Sequence, residues 1–285
     1  MSKSPKELAY PNLVWPTVVA VKERGGSATI EEIEEGVARQ MGLSDDLLSI
    51  PHVRGSRTSF QYRLAWVRTF LKKVGALENS ERAVWSLTDI GERMSEHEAR
   101  DVFRKVNAEK RRAERESNSD DDDEVSSASE GNELFWVDRL LDMLGSLTPD
   151  AFERLAQRLL REAGFTKVEV SGRSGDGGID GIGVLRMNLV SFQVLFQCKR
   201  WKGSVGASVV RDFRGAMVGR ADKGLVITTG TFTADARKEA TRDGAPAIDL
   251  IDGEMLCLLL KERKLGVATH LVEQISLDEA FFRSI

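Results

Sequence analysis

The apolar and polar positions divide the chain into a helical front third and a back half where strand and helix periods alternate. Over residues 11–24, Leu13, Val14, Val18 and Val21 recur at helical spacing, and the pattern stops at Gly25-Gly26. Thr29 followed by Glu32 has the spacing of a capping box and predicts a second helix through Ile33 and Val37 toward Met41-Gly42. A third helix is predicted from about residue 59 to 74. Phe60, Leu64, Val67, Leu71 and Val74 face inward on it, and Gln61, Tyr62, Ala65, Arg68, Thr69 and Lys72 lie opposite. Residues 75–88 read as a β-hairpin with a polar turn.

Residues 134–145 are apolar at helical spacing. Thr148-Pro149-Asp150 then marks a helix start, with Thr as cap and Pro in the first turn, and Gly164 marks its end. The stripe of this helix is Phe152, Leu155, Ala156, Leu159 and Ala163, with Glu153 at its edge beside Leu160. Strands are predicted at about 167–171, 179–185 and 192–200. They are followed by helix 207–218, strand 224–229, helix 233–242, strand 247–251 and helix 254–261. Such an order implies an α/β fold with a three-layer core around a mixed central sheet.

Composition adds a boundary. Residues 1–108 carry 16 Lys/Arg against 15 Asp/Glu, residues 109–133 carry 4 against 10, and residues 134–285 carry 21 against 20. The acidity therefore belongs to one short Ser- and Asp-rich segment, which predicts a disordered linker at 109–133 between domains at 1–108 and 134–285. Asp120 to Glu124 reads as a solvated spacer, with competition against nucleic acid as the sharper alternative. The chain has no apolar run of membrane-spanning length and no apolar stretch behind its N-terminal charges, so a cytoplasmic protein is expected. Cys198 and Cys257 read as buried packing. His52, His97 and His270 are scattered and read as surface residues, which argues against a histidine–metal nuclease.

Helix, helix, basic helix and hairpin is the order of a winged helix, whose third helix enters the DNA major groove. Between Val53 and Lys73 there are six Lys/Arg and no acid. Arg54, Arg57 and Lys72 are candidates for phosphate contact, and Gln61, Tyr62 and Arg68 for base edges. The competing readings are a solvated basic face and a protein-interaction module.

The candidate chemistry lies in Gly175-Asp176-Gly177-Gly178-Ile179-Asp180-Gly181 and Phe196-Gln197-Cys198-Lys199-Arg200. In the strand at 192–200, Phe192, Val194, Phe196 and Cys198 share one face, and Gln193, Leu195, Gln197 and Lys199 the other. An amide and an ammonium thus stand beside a carboxylate turn, the makings of a metal-assisted phosphodiester site. Mg2+ takes hard oxygen ligands, usually one or two carboxylates plus waters and substrate phosphate. Asp180, Gln197, Glu153 and the backbone carbonyl of Cys198 are the candidate ligands. Lys199 is placed to hold the attacking water or the developing charge. Asp176 is a second candidate acid, with turn formation as its plainer role.

These residues resemble the Mrr-type restriction endonucleases of the PD-(D/E)xK nuclease superfamily. The likeness rests on Phe152-Glu153, Gly164-Phe165, Asp176 to Gly181, Gln197 to Arg200 and Ile227-Thr228-Thr229-Gly230, over about residues 148–262. The front part resembles the Mrr N-terminal winged-helix domain through Leu71-Lys72-Lys73-Val74-Gly75, the Trp85 hairpin and Thr88-Asp89-Ile90-Gly91. The resemblance implies a restriction-endonuclease-like core and Mg2+-dependent DNA cleavage. Asp180 takes the place of the motif aspartate, Gln197 and Lys199 form the final motif, and Glu153 matches the helix carboxylate. Gln197 stands where the superfamily usually has Glu, as in other Mrr-like members.

Restriction of foreign methylated DNA is implied by the resemblance alone. Nothing in the chain resembles a Walker A lysine, so no nucleotide cofactor is expected. Cutting both strands of a duplex calls for two sites, hence a homodimer or larger oligomer. The alternatives are a junction or repair nuclease, and a non-cleaving DNA-binding protein with a degenerate metal site.

Overall fold

The computed structural model describes residues 8–52, 57–117, 128–170 and 178–270. Asp176 and Arg54 therefore lie outside the described residues. The front part comprises α1 (Tyr10–Lys22), β1 (Ser27–Thr29), α2 (Ile30–Met41), α3 (Asp45–Leu48), α4 (Ser59–Lys73), β2 (Leu77–Glu81) and β3 (Val84–Leu87), followed by α5 (Asp89–Arg93) and α6 (Glu96–Ser117). The expected capping box of α2 is present: the Thr29 hydroxyl accepts from Glu32 N at 3.2 Å, and Glu32 accepts from Thr29 N at 2.8 Å. The hairpin β2–β3 forms as expected, and β1 joins it as a third antiparallel strand against β3. Phe60, Leu64, Val67 and Leu71 of α4 pack with Leu13, Val14 and Val18 of α1 and with Ala99 and Val102 of α6. Burying each such side chain stabilises the fold by about 1.5–3 kcal/mol.

The back part begins with α7 (Ala128–Ser146) and α8 (Pro149–Glu162). The Thr148 hydroxyl caps α8 by accepting from Ala151 N at 3.3 Å, and Gly164 follows its end at φ 95°, the left-handed conformation the sequence pattern anticipates. A five-stranded sheet follows, built from β4 (Phe165–Val170), β5 (Gly181–Met187), β6 (Val190–Lys199), β8 (Lys223–Thr228) and β10 (Ile248–Ile251). Its order is β10-β8-β6-β5-β4, parallel through the first three and antiparallel through the last two. The expected mixed sheet is thus present. Short β7 (Ser204–Val205) and β9 (Thr231–Phe232) pair beside it, and α9 (Ala207–Met217), α10 (Ala234–Ala240) and α11 (Gly253–Glu262) complete the fold.

β6 sits at the centre of three layers. Val194 and Phe196 enter one core with Leu141, Phe152, Leu159 and Leu256, while Leu195 enters the other with Val210, Phe213, Val226 and Ala236. The two faces expected from alternation are therefore both covered by helices, which is why the strand stays apolar on both sides.

At both ends of the expected linker the chain is helical. α6 continues to Ser117 and α7 starts at Ala128, leaving only 118–127 outside the described residues. Residues 108–116 are Ala, Glu, Lys and Arg in all but name of a helix, and those side chains lose little rotamer freedom on forming one. Composition that lacks apolar residues rules out a core; it does not rule out a helix.

Candidate active site

The site is assembled where β5 begins and β6 ends. Gly181 is in register with Phe196, so the residue before it meets the next turn of the partner strand. Asp180 N donates to Phe196 O at 3.0 Å, and Cys198 N donates to Asp180 Oδ2 at 2.5 Å. The carboxylate is thus fixed against the β6 backbone by a charge-assisted bond. Gln197 is 6% exposed, and its Nε2 donates to Gly178 O at 2.6 Å. Only the amide nitrogen can donate to that carbonyl, so the amide orientation is settled by chemistry. Its Oε1 is then a buried acceptor with no hydrogen-bond partner among the described residues.

Glu153, one turn into α8, is half-buried as its place at the stripe edge anticipates. The Cys198 thiol is pushed well up from its ordinary range, first by burial and then by the negative charges of Asp180 and Glu153. Both carboxylates therefore act on the same stretch of β6. Lys199 is partly exposed, with Nζ 5.7 Å from the ring centroid of Trp201, itself an exposed aromatic. Its backbone is pinned from the neighbouring parallel strand. Thr228 Oγ1 donates to Lys199 O at 2.7 Å and accepts from Gly230 N at 3.1 Å, while the Thr229 hydroxyl bridges both backbone groups of Trp201. Neither threonine has a role that periodicity or spacing assigns. Two hydroxyls ending a strand that is otherwise Gly, Leu, Val and Ile were the available signal.

The structure thus brings Asp180, Gln197, Cys198 and Lys199 together at one sheet end, with Glu153 acting on it from α8. Among the described residues, no three His, Cys, Asp or Glu side chains gather into a ready-made metal cage. The candidate donors are instead two carboxylates, an amide oxygen and a backbone carbonyl. That set fits Mg2+, which keeps several waters and accepts few protein ligands. The unpartnered Gln197 Oε1 is the specific sign of fit, since a buried acceptor left unmatched costs about 1–3 kcal/mol.

The candidate DNA-binding residues are placed differently from expectation. Arg57, Gln61 and Arg68 are 3%, 8% and 1% exposed, and the two arginines meet carboxylates of the back part of the chain. Arg68 Nη2 lies 2.9 Å from Glu254 Oε1, and Arg57 pairs with Asp138 and, at 3.9 Å, with Glu254. Gln61 closes a capping box with Thr58 and donates to Glu34 Oε2 at 3.1 Å. In this arrangement none of the three faces solvent. Tyr62 is partly exposed and stacks on His52 at 3.7 Å between centroids; Lys72 is exposed. The partners Asp138, Glu254 and Glu34 carry no local signal of this role, since ion pairing across a chain is invisible to periodicity.

Comparison with known proteins places these features. A restriction endonuclease family, Mrr_cat, matches residues 144–260, and the Mrr N-terminal domain matches residues 10–97. The type IV methyl-directed restriction enzyme EcoKMrr of Escherichia coli K12 is 27% identical over 96% of this chain and 98% of its own length. Among solved structures, the DNA modification-dependent restriction endonuclease AspBHI aligns at a TM-score of 0.40 and 25% identity, over 46% of this chain and 36% of that one. The MspJI restriction endonuclease, solved with a 27-mer oligonucleotide, aligns at 0.38 and 30% identity, over 49% of this chain and 32% of that one. The chain thus spans about a third of each of those two proteins.

Proposed function

We propose that this chain, whose back and front parts match the Mrr restriction-endonuclease and Mrr N-terminal families, is a Mg2+-dependent deoxyribonuclease that restricts foreign DNA carrying methylated bases. The observation that carries the metal site is the buried, unpartnered Gln197 Oε1 beside a carboxylate fixed on the same strand end. Methylated DNA as substrate is supported by the similarity to EcoKMrr over nearly the whole of both chains.

On this reading Asp180, Gln197 Oε1, the Cys198 carbonyl and Glu153 hold the ion, which when bound neutralises phosphoryl charge and activates the attacking water. Asp180 is oriented for this by the Cys198 N–H, and Gln197 by the Gly178 carbonyl. Lys199, whose backbone is held by Thr228, directs its ammonium to the attacking water or the charge that develops at phosphorus. An amide in place of a carboxylate removes one negative charge and weakens the hold on the ion. The winged-helix domain, with Tyr62 and Lys72 at its surface, holds the duplex. Two copies of the chain cut its two strands, and the protein works in the cytoplasm. No helix among the described residues is long and apolar enough to cross a membrane.

The test is cleavage of methylated, unmethylated and branched DNA by purified protein with Mg2+, beside Asp180→Ala. Methylated duplex should be cut first and the variant should be inactive. Preference for branched DNA would make the chain a junction nuclease. No cleavage of any substrate would leave a DNA-binding protein with a degenerate site.

A further inference from the structure

Resting on the reading in which the front domain handles DNA, we infer that the docking of α4 on the nuclease domain is a closed state that DNA must open, with Asp138 and Glu254 occupying the place of DNA phosphates. The helix has two buried faces. Phe60, Leu64, Val67 and Leu71 fill the front domain's own core, and Gln61, Ala65 and Arg68 are buried without joining that core. A helix serving only a small domain shows one apolar stripe. On the second face the guanidinium of Arg68, and just before the helix that of Arg57, are met by carboxylates of the nuclease side, while Gln61 is held by Glu34 of the front part.

What faces the arginines is negative charge. Glu254 opens α11 and meets both guanidinium groups, and Asp138 of α7 meets Arg57. The carboxylate side chains are 16% and 13% exposed, against 3% and 2% for the arginines. The match is incomplete. Among the described residues, Arg57 Nε and Nη1, and Arg68 Nε and Nη1, are buried without a hydrogen-bond acceptor. Each guanidinium has five donors in a fixed fork, which phosphate oxygens fill better than a shared carboxylate does.

An open cleft of about 320 Å3, with Glu254 on its wall, lies between Ile30 and Ala83 on the wing side and Leu250, Met255 and Leu259 on the nuclease side. A contact held by charge pairs, short of acceptors and with an open cleft beside it is one that a polyanion can displace. In the closed state the apparent affinity for DNA is lowered by the fraction of molecules that are closed.

The experiment uses the full chain in EDTA, so that binding is read without cleavage. Asp138→Asn/Glu254→Gln keeps the side-chain shapes and removes both charges. Two readouts are taken: affinity for a fluorescent duplex, and radius of gyration by small-angle scattering. A control, Glu96→Gln/Asp235→Asn, removes the same charge from exposed positions. The inference predicts affinity higher by about tenfold, the scale of releasing a mostly closed population, together with an increased radius, and no comparable change in the control. An increased radius with unchanged or weaker affinity would overturn it, as would no change in either. If the double variant does not fold, Asp138→Asn is read the same way. Failure of the nuclease reading shows separately, as wild-type protein that cuts no DNA with Mg2+ while the variant still gains affinity.

Discussion

Gly178 shows how closely the site is drawn around one amide. Its φ is 82°, and a Cβ there would stand 2.1 Å from Gln197 Nε2. Gly178→Ala should therefore displace Gln197, and with it Oε1, while leaving both cores intact. Cleavage should fall about a hundredfold, the cost of misplacing a catalytic group by ~1 Å. A plasmid-nicking assay at matched folded protein checks this, and full activity in the variant would show that Gln197 is not a ligand. Thr228 is fully buried and both gives and receives a hydrogen bond. Thr228→Val keeps its shape but should lower stability by about 1–3 kcal/mol through the unmatched groups it leaves. Because Lys199 O is one of those groups, the cleavage rate should drop as well. Denaturant titration and cleavage kinetics read the two effects, and an unchanged rate beside lowered stability would limit Thr228 to a structural role.

Among the elements, α4 is where sequence and structure part. Its inward face is as the 3.6-residue period predicts, and so are the caps of α2 and α8 and the face alternation of β6. Those features are local: a period, a hydroxyl before a first turn, an alternation of side chains. That Arg57, Gln61 and Arg68 are buried is non-local, tied to Asp138, Glu34 and Glu254 elsewhere in the chain. The same helix junction carries a pH dependence. Glu34 is pushed up to about 7, mainly by burial of its carboxyl; Arg237 and Arg68 oppose the shift, and Glu254 and Asp252 add to it. Gln61 donates to it from α4. A carboxyl with a raised pKa in the folded state favours folding most when protonated. Its contribution is therefore full below about 4.5 and is lost as pH rises through about 7. Glu34→Gln should remove that part of the pH profile. Melting temperatures of both proteins from pH 5 to pH 8 should diverge across this window; parallel curves would contradict it.

Across the whole molecule, the order of elements was legible because each layer leaves its own period, and the nearness of Asp180 to Gln197, Cys198 and Lys199 because they lie at the meeting ends of one strand pair. The helical continuation of α6 was not legible, since a charged, apolar-poor run is compatible with coil or with an exposed helix. Nor was the covering of one domain's basic face by the other, which no single segment encodes. The fold has cores on both sides of its sheet that owe nothing to the candidate metal ligands. EDTA should therefore abolish cleavage while leaving the melting temperature unchanged, as calorimetry can establish; a large drop would make the ion structural. The most direct test of the central claim is single-turnover cleavage of methylated duplex with Mg2+ by wild type, Asp180→Ala and Lys199→Ala. Both variants are expected to be slower by about 10²–10³-fold or more, the scale of removing a group that stabilises developing charge, and cleavage by either at the wild-type rate would contradict the site.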